Sequence, residues 1–169
     1  YYGYIIVAAI FIFMVAAFGV NYNFGVFFDH IQNEFGWNRG TISLAYSLLT
    51  VVSGFLGILA GRLSDKKGPF SVAIIITVTL GAGYILMSTC RSLGAFYFYH
   101  GLLFAIGVGA GWPGLLPQIG HYFTRNRGLM IGFASAGIGA SSFFIAPLTR
   151  TIIEVLGWRI TYLVWGIII

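Results

Sequence analysis

The charged side chains of this sequence are few, and the densest group of them lies in residues 61–70, which read GRLSDKKGPF. Only 8% of the residues in the whole chain are charged. Asp65 can pair with a basic side chain or with the amino terminus of a helix on a neighbouring part of the protein. Long apolar runs flank the stretch on both sides. It therefore forms the polar connection between two neighbouring, antiparallel segments at a water boundary.

A second group of residues that could form hydrogen bonds lies inside otherwise apolar runs. Asn21 and Tyr22 are the strongly hydrogen-bonding pair deep in the first run, and Trp112 and Gln118 lie in a run rich in glycine and proline. An amide in hydrocarbon is costly without a partner, so Asn21 and Tyr22 are expected to face other helices or water. For each of the four, the alternative role is packing or a satisfied bond between helices.

The side chains that catalysis or metal binding would need are dispersed. His100 could titrate near neutral pH, but its neighbours Tyr97, Tyr99 and Phe104 are more typical of a packed or interfacial residue. The three histidines are too far apart in the sequence to share a metal, and the single cysteine, Cys90, excludes an internal disulfide. We therefore predict that the chain is not an enzyme and has no metal and no cofactor.

The composition predicts an α-helical integral membrane protein. Hydrophobic residues make up 59% of the 169 residues, against roughly 45–50% in soluble domains. A soluble domain of about 150 residues buries only some 70% of its chain, too little to hide this surface. Nine basic residues against four acidic ones give a net charge of +5. They form no basic stripe, so we expect the lipid bilayer as a partner and no nucleic acid.

Six apolar runs predict six membrane-spanning helices, because about 20 apolar residues are enough to cross a bilayer. They lie at residues 4–28, 41–61, 70–90, 95–119, 128–149 and 159–169. The chain opens on a tyrosine, and the last run continues to the final residue. We therefore expect a piece of a longer polypeptide, with the sixth helix truncated.

Small residues and prolines within these runs predict how the helices pack. The pair Gly57 and Gly61 has the spacing that lets two helix backbones approach closely. In the fourth run, Gly107 and Gly111 offer the same freedom, and Pro113 and Pro117 are expected to kink the helix. A faint internal echo joins a Gly-Trp pair at residues 36–37 to another at 157–158, two links that lie on the same side in a six-span alternation.

The pattern formed by Gly61, Leu63, Asp65, Lys66 and Gly68 resembles the motif between the second and third helices of the major facilitator superfamily of transporters. The resemblance implies a gating motif made of Gly61, Asp65, Lys66 and Gly68. The chain departs from the motif after Gly68, where it has Pro-Phe in place of further basic residues. The implied fold is a six-helix bundle built as a three-plus-three inverted repeat. It is half of a twelve-helix transporter whose C-terminal half is absent.

Further stretches are similar to the monocarboxylate porter and oxalate/formate antiporter branch of that superfamily. They are YGY at 2–4, FGVFF at 24–28, WP at 112–113, HYFTRNRG at 121–128, GFASAGIG at 132–139 and GWR at 157–159. The resemblance implies transport of a small organic anion, a monocarboxylate or short dicarboxylate, by proton symport or anion exchange. Leu103 stands where proton-coupled drug exporters have arginine. Ala146-Pro147 replaces the glycine-rich ending of their fifth helix, so drug export is disfavoured.

An organic anion needs a compensating cation in a low-dielectric cavity, yet no charged residue lies near the middle of any run. The resemblance implies that the cation sits in the missing half, and Asn21, Tyr22, Trp112 and Gln118 would line the substrate cavity here. Two alternatives stay open. One is transport of another solute class, such as a sugar or other nutrient, and the other is a non-transporting six-span receptor or scaffold.

The loops give a weak prediction of orientation. Five basic residues fall on one side of the membrane and four on the other, so the count alone does not decide. Charge density favours a cytoplasmic position for the loops at residues 62–69 and 121–127, together with the N-terminus. The expected location is the cell membrane, either plasma or inner.

Overall fold

The computed structural model describes residues 2–22, 24–123 and 126–169. Within these ranges it leaves out a few side chains, those of Tyr2, Val20, Asn21, Tyr22, Trp112 and His121. The described residues are almost entirely helical, and none of them lies in a β-strand.

The helices follow one another with short connections. They are α1 (Tyr2–Tyr22), α2 (Phe24–Phe35), α3 (Arg39–Lys67), α4 (Pro69–Ser88), α5 (Leu93–Phe96), a π-helical turn (Tyr97–Leu103), α6 (Phe104–Leu115), a 3₁₀ turn (Leu116–Gln118), α7 (Ile119–Tyr122), α8 (Arg127–Leu156) and α9 (Trp158–Ile168).

Five stretches of helix are long and apolar enough to cross a membrane. They are Gly3–Phe35, Arg39–Lys67, Pro69–Ser88, Leu93–Gln118 and Arg127–Leu156. The sixth predicted span corresponds to α9, which has 11 residues. The all-helical, membrane-spanning fold class is therefore confirmed, and the chain is a multi-pass membrane protein.

Three helices extend beyond the ends predicted from the apolar runs. Helix α2 continues to Phe35 rather than residue 28, α3 to Lys67 rather than 61, and α8 to Leu156 rather than 149. In each case the next residue is a glycine with positive φ, a conformation that stops a helix. These glycines are Gly36 (φ 66°), Gly68 (φ 82°) and Gly157 (φ 81°). The apolar run sets the part of the helix that meets lipid, whereas the glycine sets its end.

The helices pack against one another in pairs. The most extensive contacts join α1 to α8, α3 to α6, and α4 to both α6 and α9. Large side chains fill the centre and are almost completely buried, among them Phe18, Phe27, Tyr84, Phe104 and Tyr162. Large apolar side chains also cover the outside, including Phe55, Phe70 and Phe143, each more than 70% exposed. This outer surface is what lipid contact requires.

Candidate functional site

The residues of the charged stretch lie at the end of α3 and the start of α4, rather than in a loop. Residues 61–67 continue α3, and Gly68 alone separates it from Pro69, the first residue of α4. The predicted polar connection was therefore too long. Gly68 donates its backbone N–H to the Ser64 carbonyl at 2.9 Å and has a φ of 82°, which an L side chain rarely adopts. The turn between the two helices is one residue long because Gly68 allows it.

The same end of α3 is fixed to the fourth span by a buried hydroxyl. Ser64 is 3% exposed and donates to the backbone carbonyl of Gly114 at 2.8 Å. Gln118 donates its side-chain amide to the Ser64 hydroxyl at 3.2 Å. Ser64 was not among the residues predicted from the sequence. A signal existed, because positions 57, 61 and 64 follow the spacing of one helix face.

Asp65, Lys66 and Lys67 are exposed at this end of the bundle. No ion pair involves Asp65 within the part of the chain that the structure describes. Their neighbour Ser64, by contrast, is buried and bonded to the fourth span. The end of α3 therefore presents three charged groups to the outside from a backbone that is held in place.

Close backbone contact between α3 and α6 depends on two glycines. A Cβ atom on Gly57 would lie 3.2 Å from the Gly109 carbonyl, and one on Gly109 would lie 2.5 Å from the Ser53 carbonyl. A Cβ on Gly61 would lie 3.6 Å from Cβ of Pro113, an ordinary contact. The proline has no N–H for the carbonyl four residues earlier, which is that of Gly109. Gly57 therefore lets α3 approach the Gly109 carbonyl, which lacks its usual helical donor because residue 113 is proline.

Gly107 and Gly111 of the fourth span face helices other than α3. A Cβ on Gly107 would lie 2.5 Å from Cγ of Leu80 in α4, and one on Gly111 would collide with the Phe18 ring of α1. The span therefore meets α1, α3 and α4 at closely packed positions. Its helical type also changes along its length, from the π-helical turn through α6 to a 3₁₀ turn that contains Pro117.

An open groove runs along the contact between α3 and α6. Its volume is about 430 Å³ and it is lined by small and apolar residues, namely Thr50, Ser53, Gly54, Gly57, Ile58, Val108, Gly109 and Pro113. The hydroxyl of Thr50 donates to the Tyr46 carbonyl and that of Ser53 to the Thr50 carbonyl. Both hydroxyls are thus used within α3 and leave the groove mainly apolar.

The four residues predicted to line a cavity lie on α1 and on the fourth span. Asn21 and Tyr22 end α1, and Trp112 lies in α6. The side chains of these three lie outside the described part of the chain. Gln118 bonds to Ser64, at the same end of the bundle as Asp65. A cavity lined by all four residues stays a prediction.

At the opposite end of the bundle, a cluster of hydrogen bonds joins the ends of three spans. Glu34 at the end of α2 accepts from the Trp158 indole N–H at 2.6 Å and from the Arg159 guanidinium at 2.8 Å and 3.2 Å. Arg159 also donates to the Ser88 carbonyl at 3.0 Å, and its guanidinium lies 4.6 Å from the Trp158 ring centre. The two Gly-Trp links therefore do lie on the same side, and Glu34 of one binds the residues of the other.

The imidazole of His100 is completely buried in the π-helical turn. Neither ring nitrogen has a hydrogen-bond partner among the described residues. The described residues also contain no group of three His, Cys, Asp or Glu side chains placed to bind a metal. In the loop predicted at residues 121–127, Arg125 and the side chain of His121 lie outside the described part of the chain.

A helical bundle with several membrane-crossing helices, one end fixed by a buried serine and the other by an acid–arginine cluster, is the architecture of a membrane protein domain. Its sequence matches the family model of the Major Facilitator Superfamily over residues 9–169. The chain belongs to this superfamily. The prediction drawn from residues 61–70 is confirmed, and the chain belongs to a family of transporters and not of enzymes.

Several relatives carry the name of one branch. Monocarboxylate transporter 13 of Rattus norvegicus is 31% identical over 158 residues, which are 94% of this chain and 37% of that protein. Monocarboxylate transporter 1 of Bos taurus is 28% identical over 98% of this chain and 33% of its own length. Monocarboxylate transporter 6 of Homo sapiens is 30% identical over 84% of this chain and 28% of its own. The chain thus spans about a third of these relatives, and the resemblance to the monocarboxylate porters is confirmed.

Proposed function

We propose that this chain is one six-helix half of a secondary active transporter that moves a small organic anion by alternating access. The substrate would be a monocarboxylate or a short dicarboxylate, carried by proton symport or by anion exchange. The observation that carries the proposal is the similarity to three proteins named monocarboxylate transporters, over 84–98% of this chain.

The distribution of charge supports an anion site that this chain shares with a second half. The charged residues that the structure describes lie toward the ends of the membrane-crossing stretches or between them. A carboxylate in a low-dielectric cavity needs a cation, so the second half would supply a basic side chain near mid-membrane. This half would contribute neutral groups, for which Asn21, Tyr22 and Trp112 are the candidates, with Gln118 nearer the Asp65 end. Replacing Trp112 with alanine should then change the relative affinities of competing anions.

The end of α3 would act as the contact between the two halves. Asp65, Lys66 and Lys67 are exposed there, whereas Ser64 holds the backbone to the fourth span at 2.8 Å. Charged groups on a fixed backbone can pair with a partner half in one state and separate from it in the other. Gly61 and Gly68 serve the packing and the turn of this segment.

Transport should be tested with the complete polypeptide in proteoliposomes. Uptake of radiolabelled lactate, formate and oxalate is measured against protein-free vesicles. An acid-outside pH gradient drives symport, and preloading with unlabelled anion drives exchange. Uptake of at least one carboxylate supports the proposal.

The same vesicles test the two alternatives. Uptake of radiolabelled glucose without any carboxylate uptake would favour transport of another nutrient. No uptake of either solute, from a folded protein, would favour a non-transporting receptor or scaffold.

We further propose that the end of the bundle with Asp65 faces the cytoplasm of a plasma or inner membrane. The chain offers a clean labelling test because its one cysteine, Cys90, is buried. Burial also raises the pKa of the Cys90 thiol, which slows its reaction with maleimides. A membrane-impermeant maleimide should label Lys67→Cys from the cytoplasmic side and the control Arg39→Cys from the opposite side. The reverse pattern would overturn this orientation.

A further inference from the structure

The histidine of the fourth span sits in a cage of aromatic rings. His100 is 0% exposed, and its ring centre lies 4.1 Å from that of Phe24, 5.1 Å from Phe104, 5.6 Å from Phe96 and 6.3 Å from Tyr46. These rings come from α2, α3, α5 and α6. The imidazole is therefore enclosed by α2 and α3, which are distant from it in the chain, and by α5 and α6, which flank its own turn.

Both nitrogens of this imidazole lack hydrogen-bond partners among the described residues. Buried polar atoms in native proteins are nearly always bonded, and each exception calls for an explanation. A phenylalanine would fill the same aromatic space without the cost of two unbonded nitrogens. Packing alone therefore does not account for a histidine at position 100.

The groups that face the imidazole carry no negative charge that could balance a protonated ring. Of the four rings around it, only Tyr46 belongs to an ionisable residue, and no charged side chain of the described chain is in ring contact with it. Helix α4 also packs against this turn, but its Tyr84 ring meets Phe104 rather than His100. A buried imidazolium without a counter-charge is strongly disfavoured. In this arrangement the ring is neutral.

The backbone that carries His100 has an uncommon helical form. Residues Tyr97–Leu103 form a π-helical turn between α5 and α6. Such turns are rare in proteins, and those that do occur are often found at functional sites. Because one residue corresponds to about 100° around an α-helix, conversion of this turn to α-helix would rotate the side chains on one side of it relative to the other. His100 therefore sits on an element that can turn the ring away from its cage.

We propose that His100 is a proton-binding site, and that its protonation drives the imidazole out of the aromatic cage and rearranges the π-helical turn. The neutral ring favours the conformation described here. At acidic pH the protonated ring favours a conformation in which it reaches water or an acceptor. This inference rests on the proposed function only for its role in transport, where His100 would take up a proton that moves with the anion.

Hydrogen–deuterium exchange of the complete polypeptide in lipid nanodiscs tests this without any substrate. Exchange in the peptide covering residues 97–103, corrected for its intrinsic pH dependence, is compared between about pH 7.5 and about pH 5.5. We expect about tenfold faster corrected exchange at the lower pH in the unmodified protein. His100→Phe should remove the difference, because it fills the cage and cannot bind a proton.

Two further variants make the result decisive. His100→Gln also cannot be protonated and decides the matter if His100→Phe does not fold. His30→Gln is the matched control, since His30 is exposed on α2 and should keep the full response. The proposal is overturned if the unmodified protein shows no acid-induced change or if a non-titrating variant at position 100 keeps it. An absence of carboxylate uptake would instead overturn the proposed function and leave the exchange result standing.

Discussion

Trp158 donates its indole N–H to the Glu34 carboxylate at 2.6 Å, across 124 positions of sequence. Arg159 binds the other oxygen of the same carboxylate at 2.8 Å and also the Ser88 carbonyl. One acid thus receives bonds from two consecutive residues at the start of α9, and the arginine extends the contact to the end of α4. The ends of the first, third and sixth spans are joined through Glu34 at the side of the membrane opposite Asp65.

The first prediction concerns Glu34→Gln. Hydrogen bonds to a charged group contribute about 1.5–3 kcal/mol, and the side chains here are partly exposed, Glu34 by 42% and Arg159 by 32%. We expect a loss of about 1–2 kcal/mol in the free energy of unfolding. Thermal unfolding in detergent should show a melting temperature several degrees lower.

The control for this prediction is Glu154→Gln at the same end of the bundle. Glu154 pairs with Arg150 at 3.1 Å, but the two side chains are 60% and 74% exposed. An exposed pair four residues apart on a helix contributes only about 0.3–0.5 kcal/mol. If both variants lowered the melting temperature equally, the cluster around Glu34 would have no special role.

The second prediction concerns Ser64→Ala. In a 3₁₀ turn each backbone N–H bonds to the carbonyl three residues earlier instead of four. The carbonyls just before Leu116–Gln118 therefore need other donors. Ser64 supplies one to Gly114. Its removal should cost about 1–3 kcal/mol, because a buried acceptor loses its partner. Thermal unfolding measures the loss. Ser71→Ala should have no such effect, since the exposed bond from the Ser71 hydroxyl reaches only the Lys67 carbonyl four residues earlier.

The sequence predicted the parts of the fold that depend on hydropathy and on local motifs. Apolar runs identified the membrane-crossing helices because their length is set by the thickness of the bilayer. The ends of α2, α3 and α8 were misplaced because polar residues continue a helix beyond the lipid until a glycine stops it. Hydropathy contains no information about that stop.

The contacts between distant residues could not be read from the sequence. Glu34 and Arg159 each looked like an ordinary charge at the end of a span, and only the packing of three spans brings them together. The cage around His100 likewise draws on α2, α3 and α6. The aromatic neighbours visible in the sequence suggested packing, but not that both imidazole nitrogens would lack a partner.

The third prediction compares Gly109→Ala with Gly54→Ala. A Cβ on Gly109 would lie 2.5 Å from the Ser53 carbonyl and 3.0 Å from the Ser53 Cα, so the backbones of α3 and α6 would have to separate. Overpacking of this kind costs about 1–3 kcal/mol. A Cβ on Gly54 meets nothing within 4 Å, and alanine stabilises a helix interior by about 0.5–1 kcal/mol relative to glycine. Gly54→Ala should therefore match or exceed the original melting temperature, while Gly109→Ala falls below it.

The fourth prediction concerns Asp65→Asn and tests the proposed contact between halves. Asp65 is exposed and forms no ion pair among the described residues, so its replacement should leave the melting temperature of the protein nearly unchanged. Transport should fall by about tenfold if a charge pair with the second half is worth about 1–2 kcal/mol in one conformation. The control is Asp29→Asn, since Asp29 is also exposed but lies at the opposite end, 3.6 Å from Arg39. Uptake rates in proteoliposomes should drop for Asp65→Asn and stay within about twofold for Asp29→Asn. Equal rates for both variants would remove Asp65 from the mechanism, and a lower melting temperature for Asp65→Asn would show that its role is in folding instead.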